Sequence, residues 1–105
     1  MNQAWSGDPP FRRLDLDAKT AWRGERQIML TAKEFALLAF LMRHRGSVVS
    51  RARLLSNVWN LNFDPGTKVV DVYIRYLRQK LAEGGKSPMI RTVRGFGYTI
   101  GANEP

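Results

Sequence analysis

Hydrophobic and polar residues change their spacing twice along this chain. From residue 11 to residue 30 they alternate loosely, and turn-forming groups at Asp17-Ala18-Lys19 and Arg23-Gly24-Glu25 interrupt the run. Period-two alternation cut by such turns predicts three short antiparallel strands, over about 11–17, 20–23 and 26–30. At Thr31 the spacing becomes helical. Thr31-Ala-Lys-Glu34 fits a capping box, in which the threonine hydroxyl accepts from an orphan backbone amide and the glutamate reaches back to the cap. Phe35, Leu38, Leu41 and Met42 then form an apolar stripe, and Arg43-His44-Arg45 before Gly46 place cations at the negative end of the helix. Ser50 starts a second, short helix running to about Trp59, with Leu54, Leu55, Val58 and Trp59 facing inward and Arg51 and Arg53 outward. Residues 60–66, with their Asp-Pro-Gly turn signal, predict an ordered loop. A third helix over about 67–81 is ended by Gly84-Gly85-Lys86-Ser87-Pro88. The β-prone runs 90–93 and 98–100 flank Arg94-Gly95-Phe96-Gly97 and predict a hairpin with a glycine-supported tip.

The order of these elements predicts an α+β domain: an N-terminal antiparallel sheet, three helices and a C-terminal β-hairpin. At 105 residues there is room for one hydrophobic core. Residues 11–101 are expected to form the domain, with 1–10, polar and containing Gly and Pro, a linker and 102–105 a tail. Composition agrees, since 44% apolar and 25% charged residues suit a folded globular chain. The absence of cysteine excludes disulfides and thiolate chemistry and suits a reducing cytoplasm. The longest apolar run, 35–42, is far shorter than the roughly 20 residues that span a bilayer, and residues 1–10 lack the pattern of a secretory signal. No membrane partner is expected.

Charge changes the picture. The net charge of +8 attracts polyanions, although a merely solubilising surface would look the same in bulk. Its distribution is uneven: residues 1–30 carry five basic and four acidic side chains, whereas 31–105 carry twelve and five. The excess therefore lies on the helices and the hairpin.

On a helical wheel, Val70, Ile74, Leu77 and Leu81 fall within about 60° of one another, which fixes the inner face of the third helix. The opposite face carries Lys68, Val72, Arg75 and Gln79, flanked by Asp71 and Arg78 on one side and Tyr76 on the other. A solvated cationic helix could look like this. So could a helix suited to the major groove of duplex DNA, where basic groups reach phosphates or guanine edges, glutamine pairs with adenine and valine meets a thymine methyl. Arg94 lies at a tip whose glycines permit close approach to another surface, as an arginine offered to a narrow minor groove requires. A plain turn bearing an exposed arginine is the alternative.

Other chemistry lacks players. His44 is the only histidine, so no histidine cluster can hold a metal, and a lone histidine at a helix end is expected to be solvated. Asp15, Asp17, Glu25 and Glu34 form no paired-carboxylate motif. Gly84-Gly85-Lys86-Ser87 lacks the upstream glycine and preceding strand of a phosphate loop. Trp5, Trp22 and Trp59 are expected to pack in the interior rather than form a stacking platform for single-stranded bases. Neither enzyme activity nor a cofactor is expected. A basic RNA-associated module and a protein-docking module using the 60–66 loop remain as rival classes.

Four motifs, Leu30-Thr-Ala-Lys-Glu-Phe-Ala-Leu-Leu, Ser50-Arg-Ala-Arg-Leu-Leu with Val58-Trp59, Val69-Val-Asp-Val-Tyr-Ile-Arg-Tyr-Leu-Arg-Gln-Lys-Leu81 and Ile90-Arg-Thr-Val-Arg-Gly-Phe-Gly-Tyr98, stand in order along residues 11–100. Together they resemble the effector domain of OmpR/PhoB-type response regulators, a winged helix-turn-helix. The resemblance implies sequence-specific binding of double-stranded DNA and transcriptional control. It also implies a four-stranded N-terminal sheet, so that one strand either escapes the pattern above or lies around residues 47–49. By position it implies that Lys68, Val72, Tyr73, Arg75, Tyr76 and Arg78 meet bases and phosphates, Arg51 and Trp59 the backbone, and Thr92, Arg94 and Tyr98 the DNA beside the wing. Asn60, Leu61, Asn62, Phe63, Asp64, Pro65 and Gly66 correspond to a loop that contacts RNA polymerase. Dimers on DNA and a monomeric isolated domain are further implications, as is an N-terminal receiver. At Tyr76 many members carry arginine, and tyrosine has no bidentate fork for guanine.

Overall fold

The computed structural model describes residues 4–5, 11–15, 20–23, 26–81 and 90–100. The expected turns at 17–19 and 24–25, the helix break at 84–88 and the tail at 102–105 lie outside them. Four strands, β1 (Ala4–Trp5), β2 (Phe11–Asp15), β3 (Thr20–Arg23) and β4 (Arg26–Ile28), precede three helices, α1 (Ala32–Arg43), α2 (Arg51–Val58) and α3 (Val69–Leu81). Two further strands, β5 (Ile90–Val93) and β6 (Gly97–Ile100), complete the described elements. The first four pair antiparallel in sequence order, and β5 and β6 form a separate hairpin.

The fourth strand of the N-terminal sheet is Ala4–Trp5, within the segment expected to be a linker, where it pairs with Asp15 and Leu14 of β2. A two-residue strand is too short to show any period. Residues 47–49 form no named strand; instead Val49 makes a single antiparallel bridge to Tyr98, donating to its carbonyl at 2.8 Å and accepting from its amide at 2.9 Å. That bridge stitches the wing to the connection between α1 and α2.

Local signals account for the helix starts. In α1 both capping-box bonds form: the Glu34 amide donates to Thr31 Oγ1 at 3.2 Å and the Thr31 amide donates to Glu34 Oε1 at 2.9 Å. Ser50 Oγ accepts from the Arg53 amide at 3.1 Å to start α2. The third helix begins at Val69, two residues later than its expected start. Lys68 is therefore outside it, with a left-handed backbone (φ 56°), although its carbonyl accepts from the Val72 amide at 3.0 Å and closes the first turn. Positive φ in a non-glycine residue costs on the order of 1 kcal/mol, so this entry geometry is held by its surroundings.

One hydrophobic core joins the sheet, helices and wing. Far more of α1 is buried than its expected stripe: Leu37, Ala39 and Phe40 join Phe35, Leu38, Leu41 and Met42. It contacts α2, α3 and β6, so partners cover several of its faces. The inner stripe of α3 is the one the spacing predicts, with Val70, Ile74, Leu77 and Leu81 all buried. Truncating a fully buried leucine such as Leu77 to alanine costs about 2–5 kcal/mol, a large part of a small domain's stability.

Candidate nucleic-acid interface

Burial of the α3 stripe forces its other face outward. Arg75, Tyr76 and Gln79 are exposed, while Val72 is half-buried rather than fully exposed. Lys68 reaches the same neighbourhood from the residue preceding the helix and is exposed. These side chains offer cationic, amide and apolar groups on one helical surface, the mixture that reads phosphates and base edges.

The wing is tied to this helix by Arg78. Its Nε donates to the Ile90 carbonyl at 3.0 Å and its Nη2 donates to Thr92 Oγ1 at 2.7 Å, so α3 and β5 are joined. Arg94, two residues beyond Thr92, is exposed in the turn, beside Gly95 at φ 80°. A β-branched residue could not occupy such a backbone without strain. Phe96 at the same tip is 72% exposed.

Asp71 is the junction of the surface. It stands in the first turn of α3 and accepts from Arg51 Nε at 3.3 Å and Nη2 at 2.8 Å. The same carboxylate oxygen accepts a short hydrogen bond from the hydroxyl of Tyr98 in β6. The guanidinium of Arg51 also lies 5.8 Å from the Tyr98 ring centroid and that of Arg78 lies 6.0 Å from it. Tyr98 is buried, with its hydroxyl bonded to Asp71 and its ring beside the two guanidinium groups. Burial pushes the Asp71 carboxyl upward, but the hydrogen bonds from Tyr98 and Arg51 and the charges of Arg51 and Lys68 outweigh it and hold the group below its ordinary value. The Tyr98 phenol moves up, through burial first and then its bond to Asp71.

An aromatic ladder flanks the other side of α3. Trp59, the C-cap of α2, meets Tyr73 edge-on at 5.4 Å, and Tyr73 meets Tyr76 edge-on at 5.5 Å. Lys33 Nζ sits 5.7 Å from the Trp59 ring centroid and donates to the Val58 carbonyl at 2.9 Å, closing the negative end of α2. Trp59 and Tyr73 are half-buried against the core, whereas Tyr76 is exposed.

Residues 60–66 form a loop between α2 and α3, held at two points by hydrogen bonds. The Leu61 amide donates to the Leu55 carbonyl at 2.9 Å, and Asp64 Oδ1 accepts from the Gly66 amide at 2.8 Å in an Asx turn. Leu61 packs on the core, while Phe63 is 64% exposed. A groove of about 370 Å³ separates the loop from α2, lined in part by Arg51, Leu55, Leu61 and Phe63.

Three residues gain roles that pattern alone misses. Asp71 appears only as a flanking acid on the wheel, yet a carboxylate beside a cationic face is itself a signal that it holds a neighbouring base. Lys80 Nζ pairs with the buried Glu34 at 2.6 Å, so the capping glutamate also ties α1 to α3. Burial opposes ionisation of Glu34, but Lys80 and Thr31 prevail and lower its pKa. Nothing in sequence spacing brings these two together across 46 positions. His44, expected in solvent, packs its ring against Phe40 at 4.5 Å.

Two helices joined by an ordered loop, the second showing a cationic face next to a tethered hairpin, define a winged helix-turn-helix DNA-binding domain. The family model described as "Transcriptional regulatory protein, C terminal" matches residues 24–100. Among curated proteins, the transcriptional activator protein IrlR of Burkholderia pseudomallei is 47% identical over 87 residues, covering 83% of this chain and 38% of that protein. The transcriptional regulatory protein CusR of Escherichia coli is 41% identical over 87 residues, with the same two coverages, 83% and 38%. The RstA DNA-binding domain of Klebsiella pneumoniae, solved in complex with the RstA box, superposes with a TM-score of 0.81 at 29% identity, covering 93% of this chain and 96% of that one. The chain belongs to this family, the DNA-binding effector domains of OmpR/PhoB-type response regulators. Members are transcriptional regulators, not enzymes. The chain spans 38% of the length of these curated relatives.

Proposed function

We propose that the domain reads a specific duplex by laying α3 in the major groove and offering Arg94 to the adjacent minor groove. The observation that carries this is the Arg78 bridge to Ile90 and Thr92, which holds the α3 face and the wing as one surface. In this reading Arg75, Tyr76 and Val72 face base edges, with Tyr73 supporting Tyr76. Lys68, Arg51 and Thr92 lie towards phosphates, while Trp59, Arg78 and Tyr98 act chiefly by holding the others in place. Two copies bind adjacent half-sites, the isolated domain being monomeric, and the protein works in the cytoplasm downstream of a phosphorylated receiver. Residues 60–66 meet RNA polymerase, a role supported by the anchored Leu61 and the projecting Phe63.

Selection of preferred duplexes from a random pool, followed by affinity measurements against salt, tests the proposal. Lys68→Ala should weaken binding to enriched and random duplexes alike and lower the salt slope by about one. Val72→Ala should change the enriched sequence instead. Equal losses on both duplexes for every such variant would refute the assigned roles.

A further inference from the structure

We infer that Asp71 is a positioning residue for DNA binding, holding Arg51 of α2 and the wing strand β6 in register with the recognition helix. The inference rests on the surface proposed above. A carboxylate within a face that meets a polyanion repels it, so by charge alone Asp71 weakens binding. The geometry assigns it a compensating function. One Asp71 oxygen accepts from two nitrogens of Arg51 on one side and from the Tyr98 hydroxyl on the other, so a single side chain links α2, α3 and β6. Arg51 remains partly open: 46% of its side chain is accessible although its Nε and Nη2 both bond Asp71. The guanidinium is therefore anchored through two of its three nitrogens and still partly accessible, while the Tyr98 ring lies 5.8 Å from it and limits its swing. A long arginine pre-set in this manner loses less rotamer freedom when a phosphate arrives. The Tyr98 hydroxyl transmits the same constraint to the wing, because Tyr98 pairs with Thr92 in the hairpin that ends at Arg94.

The test uses the whole chain, the duplex it enriches from a random pool, and a random-sequence duplex of equal length. Asp71→Asn removes the negative charge and preserves the shape. Electrostatics alone predict tighter binding to both duplexes; positioning predicts that affinity for the enriched duplex falls by about tenfold or more, the scale of lost charge-assisted hydrogen bonds. Arg51→Ala should weaken binding as well, and combining it with Asp71→Asn should cost much less than the product of the two single effects, because each breaks the same contact. Tyr98→Phe, which keeps the ring and deletes the hydroxyl, should lower affinity in the same direction. Far-UV circular dichroism and melting temperatures confirm that binding is measured on folded variants. Unchanged or tighter binding by Asp71→Asn, or full additivity with Arg51→Ala, overturns the inference while leaving the surface reading intact. A wild-type chain that enriches no duplex overturns both.

Discussion

Replacing Gly97 with alanine tests the packing of the wing against the connection between α1 and α2. Gly97 has φ 147°, and a Cβ built there would lie 2.1 Å from the Val49 carbonyl oxygen and 2.8 Å from Ser50 Cα. Those atoms are backbone, so no flexible side chain can yield. Relief requires β6 to withdraw, and the two Val49–Tyr98 hydrogen bonds at 2.8 and 2.9 Å are the contacts that break. Backbone strain contributes about 1–3 kcal/mol, and the two bonds contribute about 1 kcal/mol each. A total of roughly 3–5 kcal/mol follows, which lowers the melting temperature by at least about 12 °C in a domain of this size. Gly95 supplies the control. It too has positive φ, 80°, but nothing lies within 4 Å of its added Cβ, so Gly95→Ala should cost only the conformational part, on the order of 1 kcal/mol. Thermal unfolding followed by circular dichroism, with urea titration at 25 °C as a second measure, compares the three proteins. Equal losses in the two variants, or a Gly97→Ala melting temperature close to that of the wild type, would show that the close approach at Val49 does not hold the wing.

The buried Glu34 predicts a pH dependence. Its folded pKa lies below the ordinary value of 4.5, so its contribution is present above that value and is lost as pH falls through the folded pKa. Glu34→Gln should therefore destabilise the domain by about 1–3 kcal/mol at pH 7, and urea titrations should show the difference from wild type shrinking at acidic pH; a constant difference down to pH of about 3 would contradict it. At the DNA surface, Tyr76→Arg should introduce a guanine preference at one position of the selected duplex, because only the arginine fork spans guanine O6 and N7. An unaltered enriched sequence would remove Tyr76 from base readout.

Much of the fold is legible before any coordinates, because helix starts, stops and inner faces are local properties. Thr31 with Glu34, Ser50 as a cap and the Val70, Ile74, Leu77, Leu81 stripe each express chemistry within a few residues of the chain, and all three appear in the structure. The outward face of α3 follows from the inward one by elimination, which is why Arg75 and Tyr76 could be named in advance. Four motifs in order also carry the family. What spacing cannot supply is any contact between distant segments. Strand β1 needs β2 beside it to be a strand at all, and the bridge from Val49 to Tyr98 joins two elements that are unremarkable alone.

The amino-acid sequence by itself determined a basic, cysteine-free domain with helices and hairpin in winged helix-turn-helix order, together with the cationic side of its third helix. Periodicity and capping act within a turn or two, and charge is additive, so both survive without three-dimensional information. Tertiary structure alone decided which polar groups spend themselves on the protein and which stay available. Arg78, Arg51 and Tyr98 are unconnected in one dimension, but in the fold Arg78 is bonded to Ile90 and Thr92, and Arg51 and Tyr98 converge on Asp71, with Arg51 still partly accessible. That division depends on segments 12 to 27 positions apart meeting at hydrogen-bond distance, and only the packed core brings them there.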